Sequence, residues 1–173
     1  MLRNDLNAFP DYQPGKDYPD ALKLSSNEVA FEPSKDIIAA VAEAASSTNR
    51  YQQPGSPELT NALCNYLDVP AEHIFVSAGS TPILQATILA CCQTGDEVVV
   101  PWRSFEAYPL YVRMAGAEPI LTPLTDDYAV DLDAAQAAIT DKTRLIILCN
   151  PNNPTGTVFT RGEFRAFMDR VPE

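Results

Sequence analysis

The 173-residue chain is 46% apolar and 20% charged, enough for one globular domain with a buried core. Twelve Lys+Arg against 23 Asp+Glu leave a formal charge of −11 with no basic cluster, which argues against nucleic acid as a partner. No apolar stretch nears the ~20 residues that cross a bilayer, and the charged start Met1-Leu2-Arg3-Asn4-Asp5-Leu6 is no signal peptide, so a cytoplasmic protein without membrane contact is expected.

In chain order, residues 1–33 carry Pro10, Pro14, Pro19 and Pro33 and read as an extended N-terminal arm. The arm contains the polar string Lys23-Leu24-Ser25-Ser26-Asn27-Glu28. Residues 34–173 read as an α/β domain. Ser34 suits an N-cap, and Ile37, Ile38, Val41 and Ala45 follow at helical spacing. Asn49-Arg50-Tyr51 comes next, its tyrosine either a phosphate donor or a surface aromatic beside a turn. A second helix starts after Pro57 and carries Leu59, Leu63, Tyr66 and Leu67.

From there apolar runs and helical patterns alternate. Strands are expected at Ile74-Phe75-Val76, Glu97–Val100, Glu118–Leu121 and Leu145–Leu148. Helices are expected at Pro82–Cys92, Phe105–Met114, Leu132–Ile139 and Thr160–Met168, with a turn at Thr125-Asp126-Asp127. Continuous apolar strands spaced by helices indicate a mainly parallel sheet covered on both faces. The four cysteines, Cys64, Cys91, Cys92 and Cys149, form no C-x-x-C and read as buried free thiols. A single histidine, His73, builds no metal cluster, and no metal is expected.

Three expected strand-end loops carry groups suited to chemistry. Cys149-Asn150-Pro151-Asn152-Asn153-Pro154-Thr155-Gly156 cannot continue a strand, because two prolines remove ladder donors and fix φ. It is a rigid loop bearing three amides where ligands bind in an open α/β sheet. Ser77-Ala78-Gly79-Ser80-Thr81-Pro82 joins a strand to a helix. Pro82 suits the first helical position, Ser80 or Thr81 caps, and Gly79 lets backbone approach a bound group. Pro101-Trp102-Arg103-Ser104-Phe105-Glu106-Ala107-Tyr108 offers Phe105 or Trp102 as a ring platform, or simply a core aromatic. Together a phosphate cradle, an aromatic platform and an amide donor suit a flat, phosphorylated, heteroaromatic cofactor.

These residues resemble the fold-type I pyridoxal-phosphate aminotransferases, within the histidinol-phosphate aminotransferase group. The Asn-Pro-x-Asn-Pro-Thr-Gly run is the most specific mark. The strings Trp102–Tyr108 and Leu24–Glu28 look like the aromatic amino-acid branch of that group. The resemblance implies pyridoxal 5′-phosphate as cofactor, with Asn153 donating to the ring 3-oxygen and Phe105 stacking on the ring. Gly79, Ser80 and Thr81 would hold the 5′-phosphate, and Tyr51 would reach the partner subunit's phosphate in a homodimer. Asn27 would close over substrate. The implied reaction moves an amine between an aromatic amino acid and a 2-oxo acid; histidinol phosphate is the alternative substrate. A non-catalytic phosphate-binding α/β module is the alternative of another class, although no G-x-G-x-x-G or G-x-x-x-x-G-K-[ST] run is present.

Departures from the pattern are Gln52 after Asn-Arg-Tyr, Val29-Ala30 after Asn27-Glu28, and a phosphate loop without an acidic residue. The family's Schiff-base lysine, its Asp for the ring nitrogen and its carboxylate-binding Arg have no counterpart here, so the domain is expected to be incomplete. Lys16, Lys23, Lys35 and Lys142 are the only lysines, and none stands in a Ser-Lys motif. The 173-residue chain alone is therefore expected to show no transaminase activity. Borohydride treatment with pyridoxal phosphate should leave no reduced adduct on any of the four lysines, as read by mass spectrometry.

Overall fold

Val98, Val99 and Val100 are completely buried, and the sheet is arranged around them. In the computed structural model, which describes residues 18–23 and 26–172, they occupy β1 (Glu97–Pro101). Parallel pairing with β2 (Glu118–Thr122) on one side and β3 (Thr143–Ile146) on the other gives the order β2-β1-β3. A central parallel strand is buried on both faces, which is why it reads as an unbroken apolar run.

Side chains alternate across a strand, so the valines part company. Val98 and Val100 pack with Ile88 and Cys92, at the end of α3 (Thr81–Cys91), and with Tyr108 and Val112 of α4 (Ala107–Met114). Val99 meets Ala135 of α5 (Leu132–Ala137) and Phe167 of α6 (Arg161–Met168) on the opposite face. Burying each such side chain contributes about 1.5–3 kcal/mol. Helices thus cover both faces, as the alternating pattern predicts. Each parallel crossover returns the chain through a helix, so β1 and β3 end at the same edge of the sheet.

The described chain divides into two compact units between Val76 and Ser77. The sheet and α3–α6 belong to the second. The first contains α1 (Lys35–Ala45) and α2 (Pro57–Leu67), neither of which buries a residue. Ser34 caps α1 as expected, its hydroxyl accepting the Ile37 N–H at 3.4 Å, and Pro57 opens α2. Of the expected arm, residues 1–17, Leu24 and Ser25 lie outside the described residues.

Several expectations need correction. Ile74-Phe75-Val76 forms no strand; a single turn of 3₁₀-helix at Ala71–His73 runs into extended chain, and Phe75 is 72% exposed. A strand exists only where a neighbour completes its ladder, and these residues have none among the three described strands. For the same reason β3 starts at Thr143, opposite Glu97, and not at Leu145. Helix α4 begins at Ala107 because the backbone before it is committed to the loop described below. Helix α5 stops at Ala137, short of Ile139. Cys92 alone is a buried thiol, its pKa raised mainly by that burial; Cys91 is exposed and Cys64 and Cys149 are half-buried.

Helix α6 opens on a reciprocal cap. The Thr160 hydroxyl accepts the Glu163 N–H at 3.2 Å, and the Glu163 carboxylate accepts the Thr160 N–H at 2.6 Å. The Thr160 N–H, and second the Thr160 hydroxyl, which donates to the same carboxylate oxygen at 2.7 Å, hold the Glu163 carboxyl below the usual range. Because the native pKa is the lower one, this contribution is complete above the ordinary glutamate pKa and is lost as pH falls through the native value. Thr160→Ala should cost about 1 kcal/mol in urea denaturation at neutral pH. The difference between the two proteins should shrink on acidification.

Candidate functional site

At the edge where β1 and β3 end, the chain leaves both strands in polar loops. After β1, the Trp102 N–H donates to the Thr122 carbonyl at 2.7 Å, extending the contact with β2. The Arg103 guanidinium lies 5.3 Å from the centre of the Trp102 ring. Of the two candidate platforms, Trp102 is therefore already partnered by a cation. Phe105 is half-buried and packs against the cluster of Ile88, Val98, Val100 and Tyr108. It meets Tyr108 edge to face, with centroids 5.4 Å apart and planes at 83°.

After β3, Cys149 packs on the same cluster. Its thiol donates to the Pro151 carbonyl at 3.4 Å and is hydrogen-bonded to the Tyr108 hydroxyl. Burial first, and that bond second, push the Tyr108 phenol up to about 12. Both prolyl bonds, Asn150-Pro151 and Asn153-Pro154, are cis.

The three amides of this loop are used unequally. Asn150 closes the loop on itself: Nδ2 donates to the Phe159 carbonyl and Oδ1 accepts the Phe159 N–H, each at 3.1 Å. Asn152, only 2% exposed, joins the two loops. Its Oδ1 accepts from the Ser104 hydroxyl at 3.0 Å, and its Nδ2 donates to the Arg103 carbonyl at 3.1 Å and to Thr155 Oγ1 at 2.8 Å. Asn153 is half-buried, and its side chain makes no hydrogen bond among the described residues. Two amides build the loop, and the third is left without a side-chain partner among the described residues.

The third loop, Ser77–Ser80, precedes α3. Its backbone turns at Gly79 with φ +83°, a conformation that favours glycine, and a Cβ there would meet nothing within 4 Å. The N–H of Gly79 donates to the Ser77 carbonyl at 2.8 Å, and the Ser77 hydroxyl donates to the Gly79 carbonyl. Sequence reasoning assigned a capping hydroxyl to Ser80 or Thr81. Ser80 is the N-cap residue, but its backbone is helical and no side chain caps the helix. The first N–H groups of α3 therefore keep their hydrogen-bonding capacity. Gly79, Ser80 and Thr81 are all exposed, and no Lys or Arg lies in 77–84. An anion here would be held by backbone N–H, hydroxyls and the helix dipole.

Leu84 of α3, Phe105 and Cys149 all pack on one apolar cluster, which sets the three loops around a shared support. Exposed N–H groups, a half-buried ring and an unspent amide suit a flat ring bearing a phosphate and an oxygen acceptor. Asn27 and Tyr51 belong to the other unit. Asn27 is exposed with φ +51°, and the Tyr51 ring is fully exposed. The residue that sequence reasoning missed is Asn152. The only signal for it was its place in an amide-rich run, which does not distinguish one amide from the next.

The family model for class I and II aminotransferases matches residues 19–173. A Corynebacterium glutamicum protein named aromatic amino acid aminotransferase is 51% identical over 172 residues, 99% of this chain and 50% of its own length. One of the same name from Corynebacterium diphtheriae is 53% identical, with the same coverage. The chain thus spans about half the length of the curated relatives it matches. Among solved structures, histidinol-phosphate aminotransferase from Sinorhizobium meliloti, in complex with pyridoxal-5′-phosphate, superimposes with TM-score 0.79 at 26% identity. That match covers 85% of this chain and 40% of the other. Thermus thermophilus aspartate aminotransferase gives TM-score 0.77 at 27% identity, over 85% of this chain and 41% of the other.

The raised pKa of Tyr108, set first by burial, is directly testable. In a spectrophotometric titration one phenol should ionise near pH 12, above the ordinary value of 10.0, and Tyr108→Phe should remove that late component.

Proposed function

Because the chain belongs to the class I and II aminotransferases, we propose that it forms the N-terminal part of the cofactor-binding domain of an aromatic amino-acid aminotransferase. The relatives that support this substrate class are about 50% identical across nearly the whole chain. The observation that carries the cofactor reading is the unequal use of the three amides. Asn150 and Asn152 are consumed in building the wall, while Asn153 is left with a donor to give.

In this reading Asn153 donates to the ring 3-oxygen of pyridoxal phosphate, and Phe105 covers one face of the ring and excludes water from it. The N–H groups and hydroxyls of Gly79, Ser80 and Thr81 hold the 5′-phosphate. An acidic chain can bind that anion because the donors are backbone groups at a helix start. Tyr51 completes the phosphate site of a partner subunit in a homodimer, and Asn27 binds substrate. Pyridoxal phosphate, when bound, supplies the electron sink that lets an amine move from an amino acid to a 2-oxo acid. Binding and orienting that group is the work of the residues in this chain.

The outer edge of β3 carries no further strand among the described residues. Beside it a groove of about 690 Å³ is lined by Leu145, Leu148, Phe164, Phe167 and Met168 among others. An open edge beside apolar surface supports the reading that the remaining length seen in relatives packs there. The free-standing phosphate-binding module gives way to the aminotransferase family match. Histidinol phosphate stays as the second substrate reading, favoured by the Sinorhizobium meliloti neighbour.

Two measurements on the full-length protein test this function. Turnover of phenylpyruvate should exceed that of imidazole-acetol phosphate; the reverse order would select the second reading. Asn153→Ala should weaken pyridoxal phosphate binding by about tenfold to a hundredfold, the ~1.5–3 kcal/mol of a hydrogen bond to a charged acceptor. It should also shift the absorbance of the bound cofactor.

A further inference from the structure

Asn152 donates to and accepts from both strand-end loops, yet neither the sequence pattern nor the proposed cofactor contacts give it a role. We infer that Asn152 is a positioning residue, whose amide fixes the segment carrying Phe105 against the segment carrying Asn153. The inference rests on the function proposed above and deepens it.

The geometry determines which way the amide points. The Arg103 carbonyl can only accept, so the atom 3.1 Å from it must be the donor Nδ2. The opposite side then presents Oδ1 to the Ser104 hydroxyl, itself only 5% exposed. A second constraint agrees. Thr157 Oγ1 spends its single proton on the Tyr128 carbonyl at 2.9 Å. Thr155 Oγ1 must therefore be the donor in its 2.8 Å contact with Thr157, and it is left to accept from Asn152 Nδ2. The chain of donation runs from Asn152 through Thr155 and Thr157 to the backbone of the turn after β2.

The backbone of Asn152 is equally committed. Its N–H donates to the Thr157 carbonyl at 2.9 Å, and its carbonyl accepts the Gly156 N–H at 2.7 Å. The residue cannot shift without breaking several bonds at once. On one side it holds the carbonyl and hydroxyl of Arg103 and Ser104, immediately before Phe105. On the other it is covalently joined to Asn153. The spacing between stacking ring and amide donor is therefore set through a side chain that is almost wholly buried.

Asp at this position tests the idea sharply, because it keeps the shape and the acceptor for Ser104 but sets an acceptor against the Arg103 carbonyl. In the full-length protein, Asn152→Asp should raise the pyridoxal phosphate Kd by about tenfold and reduce the circular dichroism of the bound cofactor. Ser104→Ala removes one bond only and should move both readouts the same way by less. In the cofactor-free protein, hydrogen exchange should accelerate together in residues 103–106 and 150–157. A purely structural role would lower the urea midpoint while leaving Kd and cofactor dichroism unchanged, and that result overturns the inference. Exchange that rises in 150–157 alone also overturns it. If Asn152→Asp fails to fold, Ser104→Ala decides by the same criteria. Wild-type protein that binds no pyridoxal phosphate overturns the proposed function and this inference with it. Cofactor binding with normal Asn153 dependence but no Asn152 or Ser104 effect overturns only the latter.

Discussion

The burial of β1 on both faces is the constraint from which the rest of the structure follows. Val98 and Val100 on one side and Val99 on the other have no exposed surface, so helices must cover both faces of the sheet. A parallel strand so covered has polar company only at its ends. Its carboxyl end, next to that of β3, is where the backbone must leave the ladder, and the loops of the two strands meet there. The candidate site is a consequence of that exit.

Those loops show how a polar site can sit on an apolar support without orphaned groups. Burying an amide without partners costs roughly 1–3 kcal/mol, and Asn152 avoids this by making three side-chain hydrogen bonds. Asn150 is exposed, and its two bonds to the Phe159 backbone close the loop instead. Once both are committed, the loop has a defined shape and Asn153 is held without being used. Edge-to-face packing on Tyr108 does for Phe105 what the amides do for Asn153. The order is physical: support first, then a donor left over.

Charge plays a smaller part than composition implies. A net charge of −11 looks hostile to a phosphate, and no cationic side chain lies in the loop before α3. Under the proposed function, the backbone answers the difficulty. A helix whose first N–H groups have no side-chain cap presents partial positive charge and directed donors whatever the net charge of the chain. The absence of a cap at Ser80, unexpected from its hydroxyl, is what makes that helix end available.

Much was legible in the residues themselves. The valine run, the serine before α1, the threonine and glutamate that box α6 and the prolines after β3 each act over a few residues, so the chain alone determined those elements. It also marks the loop before α3, the aromatic after β1 and the amide run as the candidate places for chemistry. Tertiary structure decided what depends on a partner distant in sequence. Ile74-Phe75-Val76 is as apolar as a strand but has no neighbour to complete its ladder, and β3 takes its limits from Glu97. Which of three consecutive-looking amides is structural and which is free was likewise decided by Arg103 and Ser104, 49 and 48 residues away from Asn152 respectively. Local conformational preference is written in the sequence; the satisfaction of a buried polar group is settled only when the fold brings its partner to it.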